Sequence, residues 1–253
     1  MKTYAIILAA GKGSRMQSDL PKVLHRVGGV PMVEHLVSKL ETLEVDEIFV
    51  VVGHRGQLVK DHLGSRVTYV EQRELLGTAH AVMQAAPLLA GKQGRTLVLT
   101  GDTPLIKTST MRDLIRIQYD RRYSGVVLTS ILDDPTGYGR ILREPHSGDI
   151  LGIVEEKDAT AEQKRIREVN TGIFCFHNQF LFEALPYIHN HNAQQEYYLT
   201  DIIPVMRKMS CPGKPSRFVS KVLLNPAEAI GINTREQLAM AEALLDDSLA
   251  VSS

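Results

Sequence analysis

The stretch YAIILAAGKGSRMQSDLPK, Tyr4 to Lys22, decides the fold. Its first part, Tyr4–Ala10, is apolar without a break and ends at Gly11. A strand with one wet face alternates apolar and polar residues, so an unbroken run predicts a strand covered on both faces. Gly11 and Gly13 follow at once, where backbone N–H groups can approach an anion closely. Two familiar phosphate loops do not fit. The dinucleotide pattern G-x-G-x-x-G needs a sixth-position glycine for helix-on-strand packing, and Met16 stands there. The acidic residue expected about 20 positions later would be Glu34, which falls inside an amphipathic helix. The pattern G-x-x-x-x-G-K-[ST] is absent as well. What stays is a glycine loop with a planar guanidinium at Arg15 and an ammonium at Lys22, whose backbone is braced by Pro21. A lone G-x-G is more often a solvated turn with ordinary surface charges, and it is the full run that weighs against that reading.

Outward from this stretch, strands and helices alternate. PMVEHLVSKLETL (Pro31–Leu43) places Val33, Leu36, Val37 and Leu40 on one helical face, with proline at its start. EIFVVVG, RVTYVEQ and RTLVLTGD read as strands, and TAHAVMQAAPLLA (Thr78–Ala90) as one alanine-rich helix. This rhythm predicts an α/β fold: a Rossmann-like, mostly parallel (mixed) sheet with helices on both faces. After Gly125 the strand-like pieces GVVLTSIL, GRILRE, DILGIVEE and EVNTGIFCF come with few helices between them, predicting an added β-rich lobe. TREQLAMAEALLDDSL closes the chain as a helix, with Thr234 and Gln237 at capping-box spacing.

Composition narrows the function classes. The 253 residues, 43% hydrophobic and 23% charged, suffice for one substantial core. Lys+Arg and Asp+Glu each number 29, a formal net charge of zero. No global field draws such a chain to nucleic acid or to an anionic membrane, so any phosphate must be held by local charge. Cys175 and Cys211 are too few for a disulfide framework and read as small apolar residues. No apolar run approaches the roughly 20 residues of a membrane helix. The start of the chain lacks a leader's cleavage site, and a cytoplasmic protein is expected. His189-x-His191 reads as a polar loop; no zinc spacing and no G-x-S-x-G elbow occurs.

LAAGKGSRMQSDLPKVLHRVGGVPMVEH, EQRELLGTAHAV, GDTPL, DDPTGYGRI, GIVEEKDAT, EVNTGIF, NAQQEYYLTDII and GINTREQL, in that order, cover nearly the whole chain. Together they resemble the sugar-1-phosphate nucleotidylyltransferases. The wording is most similar to the uridyltransferase (pyrophosphorylase) domains of bifunctional N-acetylglucosamine-1-phosphate uridyltransferase/glucosamine-1-phosphate acetyltransferases. The resemblance implies uridylyl transfer from UTP to N-acetyl-α-D-glucosamine 1-phosphate, giving UDP-N-acetylglucosamine and pyrophosphate, with Mg2+ as cofactor. It implies catalytic roles for Arg15 and Lys22. Leu8, Ala9, Ala10, Gly11 and Lys22 would hold the nucleotide together with Gln72, Gly77, Thr78, Thr100, Gly101 and Asp102. Gly139, Glu155, Asn170 and Asn233 would hold the sugar, and Asp102 and Asn233 the metal.

The chemistry of these residues is compatible with such roles. Asp102 ends a strand, where open α/β sheets bind ligands, and Mg2+ favours a few protein oxygens completed by substrate phosphates. An amide such as Gln72 can match the donor and acceptor edge of uracil. Singly, each has a structural alternative. Gly101-Asp102 can be a turn, Asn233 a helix-opening residue before the Thr234 cap, and Gln72 a polar strand end. Gly139 can open a strand, Glu155 can be a surface charge and Asn170 a turn former. Tyr197 and Tyr198 could shape a sugar pocket or begin a packed helix, the latter favoured for Tyr198. Thr100 stands where close relatives often carry an aromatic ring.

The chain is read as a single nucleotidyltransferase domain over 1–253. Residues 1–124 are mainly nucleotide-binding, 125–233 mainly sugar-binding, and 234–253 the C-terminal helix. The resembled enzymes continue into a hexapeptide-repeat β-helix that acetylates and trimerises, and no such repeat lies within these residues. No acetyl transfer and a monomer or weak oligomer are expected, with small-molecule substrates and neither nucleic acid nor membrane as partner. Another hexosamine 1-phosphate, a thymine or cytosine base, and a catalytically silent sugar-nucleotide-binding protein are the alternatives.

Overall fold

Thr3–Ala9 forms β1, and its side chains divide between two apolar clusters: Tyr4 and Ile6 enter one, Ala5, Ile7 and Ala9 the other. An unbroken apolar run is thereby explained, because both faces of the strand are covered. The computed structural model describes residues 1–120, 123–209 and 217–250, without the side chains of 246–250. Cys211 lies outside the described residues. β1 is followed by β2 (Arg26–Val27), β3 (Val30–Pro31), α1 (Met32–Thr42), β4 (Glu47–Val52), α2 (Gly56–Leu63) and β5 (Thr68–Glu71). Next come α3 (Thr78–Met83), α4 (Ala86–Leu89), β6 (Arg95–Thr100), α5 (Thr108–Gln118) and β7 (Tyr123–Ile131). The rest is β8 (Arg140–Arg143), β9 (Ile150–Val154), β10 (Glu168–His177), α6 (Asn178–Ala184), α7 (Ile202–Lys208), β11 (Arg217–Val222) and α8 (Arg235–Ala250).

β2 and β3 pair by themselves, and the other strands make a mixed nine-stranded sheet whose main path is β11-β7-β10-β6-β1-β4-β5. β6, β1, β4 and β5 are parallel neighbours. β10 is antiparallel to both β6 and β7, and β11 pairs in parallel with β7. β10 alone therefore runs against the rest of the path. β8 and β9 form an antiparallel ribbon that joins β10 where Val169 faces Arg140. α1, α2 and α5 cover one face through Leu36, Val59 and Leu114. α3, α4, α6 and α7 cover the other through Val82, Leu89, Leu181 and Ile203. Cys175 is fully buried in the first of these faces, and burial pushes its thiol up to about 12, so it acts as an apolar residue.

One element differs from the sequence reading. Thr78–Ala90, expected as one helix, is α3 and α4 with a turn between them. Pro87 cannot donate an N–H to the Met83 carbonyl four residues earlier, and its ring crowds that carbonyl. At the other end of the chain the capping box forms. Thr234 N donates to Gln237 Oε1 at 3.1 Å, and Gln237 N donates to Thr234 Oγ1 at 3.3 Å. Ile232 and Ala241 then pack on Val27 and Met32, folding the C-terminal helix back over the segment that follows the glycine loop. Among the described residues no helix is long and apolar enough to cross a membrane.

Candidate active site

Open α/β sheets bind ligands in the crevice beyond the carboxyl ends of their parallel strands. There, Leu8, Ala9, Ala10, Gly11, Lys22, Gln72, Gly77, Thr78, Thr100 and Asp102 line one cavity of about 260 Å3. Gly101 sits behind this wall. Its N–H donates to the Leu8 carbonyl at 2.9 Å, and a Cβ there would stand 2.8 Å from that oxygen, so only glycine lets the two strand ends close up. Val23, Leu75, Ala81 and Glu196 complete the lining. Glu196 was not singled out from sequence. It arrives with Tyr197, whose N–H donates to Leu76 O and whose carbonyl accepts from Ala79 N, both at 2.8 Å. No local pattern announces that pairing.

The glycine loop is held from three sides. Gly13 and Gln17, both in the left-handed region, bracket the single turn Ser14–Met16. Met16, the residue that breaks the dinucleotide pattern, is fully buried and anchors the turn. Arg235, the first residue of α8, donates from Nε to Met16 O at 3.2 Å and from Nη2 to Gln17 O at 3.1 Å. Arg15 Nη2 donates to Asn233 Oδ1 at 3.0 Å. Lys22 Nζ donates to the same oxygen at 2.9 Å and forms an ion pair with Asp102 Oδ2. An ammonium thus lies between the carboxylate and amide oxygens that the resemblance assigns to a metal. Asn233 also opens α8, its N–H donating to Gln237 Oε1 at 2.8 Å, so the helix-opening reading and the site reading are compatible.

Deeper in the cavity, Gln72 is buried and its Nε2 donates to Gly77 O at 3.1 Å. Thr78 Oγ1 accepts from Leu199 N at 2.9 Å. On the other side of the crevice, Gly139, Glu155 and Asn170 come together. Asn170 N donates to Gly139 O at 2.8 Å, and a Cβ on Gly139 would stand 3.1 Å from Glu155 Oε2. Burial pushes the Glu155 carboxyl up, the Thr200 hydroxyl at 3.0 Å pulls it back, and the charges of Asp201 and Asp158 push it further up.

Asn170 Oδ1 accepts from Gly172 N at 3.0 Å, within a break in the β10 register between Asn170 and Phe174. Such irregularities re-aim side chains beside functional sites. Gly172 has φ +79, and a Cβ there would stand 3.0 Å from Thr100 Cγ2, so the bulge rests directly on the cavity wall at Thr100. Tyr138 was also missed from sequence. It is half-buried, and burial followed by the Asp102 charge raises its hydroxyl above the usual range. Tyr198 is buried and accepts from Gln194 Nε2 at 2.6 Å as it opens the turn Leu199–Asp201, the packing role favoured for it. The His189 and His191 rings stack with centroids 5.6 Å apart, and no cluster of three or more metal-binding side chains occurs among the described residues.

Residues 5–160 match the MobA-like NTP transferase domain family. The chain is 50% identical over 242 residues to the bifunctional protein GlmU of Enterococcus faecalis and 48% identical over 244 residues to that of Listeria welshimeri. Each alignment covers 96% of this chain and 52% of the relative, so the chain spans about half the length of the curated relatives it matches. In fold it is similar to a UDP-glucose pyrophosphorylase complexed with UDP-glucose, at TM-score 0.77 and 16% identity, over 98% of this chain and 100% of that one. It is also similar to a putative glucose-1-phosphate thymidylyltransferase from Bacillus anthracis, at TM-score 0.72 and 23% identity, over 96% and 94%. The family match takes in the glycine loop, all of the cavity lining but Glu196, and Glu155, and by it the chain belongs to the MobA-like NTP transferases.

Proposed function

We propose that the chain transfers a uridylyl group from UTP to N-acetyl-α-D-glucosamine 1-phosphate, releasing pyrophosphate and UDP-N-acetylglucosamine. The observation that carries this reading is the convergence of Arg15 and Lys22 on Asn233 and Asp102 at the mouth of the base cavity. Cations so placed meet a triphosphate whose base lies between Gln72 and Thr78. The resemblance of the sequence to the uridyltransferase domains supports a uridine donor and an amino-sugar acceptor.

A phosphate monoester is a competent nucleophile at neutral pH, so the chain need not supply a strong base. Its work is positioning and charge neutralisation. In this reading the glycine loop presents N–H groups to the phosphates. Arg15 and Lys22 stabilise charge on the α-phosphate and on the departing pyrophosphate. Glu155 and Asn170 receive the sugar beside Gly139. Asp102 and Asn233 would hold Mg2+, and the pair fits it: both oxygens already accept a cation, the Lys22 ammonium. Two protein oxygens suit an ion that keeps waters and substrate phosphates in its shell. When bound, Mg2+ supplies neutralisation of phosphate charge.

A substrate panel tests the reading. UTP, dTTP and CTP are combined with N-acetylglucosamine 1-phosphate, glucosamine 1-phosphate and glucose 1-phosphate, and pyrophosphate release is followed with and without Mg2+. The expected result is release chiefly from UTP with N-acetylglucosamine 1-phosphate, dependent on Mg2+. Binding of UDP-N-acetylglucosamine without release from any pair would instead mark a silent sugar-nucleotide binder.

A further inference from the structure

Gln72 is the residue expected to read the base, and its amide has two unlike ends. The oxygen accepts and the nitrogen donates, so whichever end faces the base selects it. Uracil offers an N–H at N3, whereas cytosine offers a bare N3 acceptor beside an amino group. Gln72 Nε2 has two hydrogens and two neighbours: Gly77 O at 3.1 Å and His80 Nδ1, also at 3.1 Å. With both hydrogens engaged, Oε1 is the polar atom left for a ligand, and it has no partner among the described residues. Turning the amide over would set its oxygen against the Gly77 carbonyl.

His80 does not line the cavity; it stands behind Gln72 on α3. A neutral imidazole carries one donor and one acceptor. Its Nδ1 faces Gln72, and its Nε2 lies 3.1 Å from the amide of Gln84, which also bonds the His80 carbonyl at 2.9 Å. Both His80 nitrogens face amide nitrogens, and a neutral ring accepts at only one; the buried Gln72 keeps its two bonds, while the half-buried Gln84 gives up its bond to the His80 carbonyl, which water can replace, and turns its oxygen to the proton on Nε2. The Tyr197 ring lies beside that of His80, tilted by 35° with centroids 6.4 Å apart. We infer that His80, as the Nε2–H tautomer, is a positioning residue that holds the Gln72 amide oxygen toward the base and so favours an N3–H pyrimidine over cytosine. The inference rests on the uridylyl reading above.

The test is the ratio of kcat/KM for UTP to that for CTP, with matching nucleotide dissociation constants from calorimetry. His80→Leu removes the acceptor, and the ratio is expected to fall by roughly tenfold or more, the scale of one mispaired buried hydrogen bond. His80→Asn returns an acceptor to the Nδ1 position and is expected to restore the ratio. His80→Gln reaches the Nε2 position instead and is expected to relax the ratio as leucine does, which keeps the test available if the leucine variant folds poorly. A wild-type ratio in His80→Leu, or equal ratios in the asparagine and glutamine variants, would overturn the inference. A native chain that treats UTP and CTP alike would defeat the uridylyl reading itself, and this inference with it.

Discussion

Lys22 Nζ donates to Asn233 Oδ1 across 2.9 Å, and the same oxygen accepts from Arg15 Nη2 at 3.0 Å. With Asp102 also paired to Lys22, the two oxygens proposed for the metal are already engaged by the chain's own cations. Any divalent ion that arrives alone competes with them, whereas a nucleotide offers Lys22 and Arg15 phosphate oxygens in exchange.

Lys22→Met is therefore expected to bind Mn2+ more tightly than the native chain when nucleotide is absent, by roughly tenfold, as befits loss of a charge-assisted contact. Its turnover is expected to fall by about two orders of magnitude. Electron paramagnetic resonance titration of Mn2+ checks the first, with Lys12→Met as control for charge alone. Equal tightening in both variants would show that no specific competition exists.

Arg235 ties α8 to the carbonyls of Met16 and Gln17 without lining the cavity. Arg235→Met is expected to raise the KM for UTP roughly tenfold, since a loosened loop misplaces its phosphate contacts. Arg235→Lys should recover little, because one ammonium lacks the fork that spans two carbonyls. Initial rates over a range of UTP concentrations check both, and an unchanged KM in Arg235→Met would refute the latch.

Glu155 is held above its ordinary pKa chiefly by burial. A carboxyl raised on folding contributes stability below its unfolded pKa, and that contribution is lost as pH rises through the folded value. At neutral pH its ionised form is thus a burden. Glu155→Gln is expected to melt higher than the native chain at pH 7 while losing acceptor-sugar turnover. The gap should close toward pH 4, below the ordinary glutamate value of about 4.3. In a chain of this size each kcal/mol of relief would read as roughly 2–4 °C. A gap that does not vary with pH would count against the burial argument.

Gly172→Ala is expected to cost about 1–3 kcal/mol through its left-handed backbone alone, with added crowding of Thr100 Cγ2. Thr100→Ser removes that methyl, so the double variant should regain the steric part and not the backbone part. Chemical denaturation of the four chains separates the two, and full additivity would exclude contact between the bulge and the wall.

Much of the parallel half was legible because its strands are buried on both faces, which writes apolar runs into Tyr4–Ala10, Ile48–Val52 and Leu97–Leu99. The same runs say nothing about direction, and the reversal of β10 is set by what precedes it in space. The glycine loop was legible as a candidate phosphate site through Gly11, Gly13, Arg15 and Lys22. Its supports did not announce themselves: Arg235 reaches Met16, and Tyr197 meets Leu76 and Ala79, only after the chain has folded. Pro87 was visible, but the alanine-rich run around it outweighed the break it imposes. His80 was likewise visible, and its bearing on the site depends on which amide stands 3.1 Å away.

The reversed course of β10 has a bearing on how such a protein diversifies. Strands running with β1 deliver their last residues to the crevice, and the proposed donor side is built from those ends. β10 delivers its first residues there, so Asn170 and Gly172 belong to a stretch of chain entered from the β8–β9 ribbon. Gly139, Glu155 and Asn170 of the proposed acceptor side therefore lie on one stretch of chain whose strand pairing with the sheet runs through β10. Exchange of that stretch would alter the acceptor side while leaving the glycine loop, its cations and Asn233 in place.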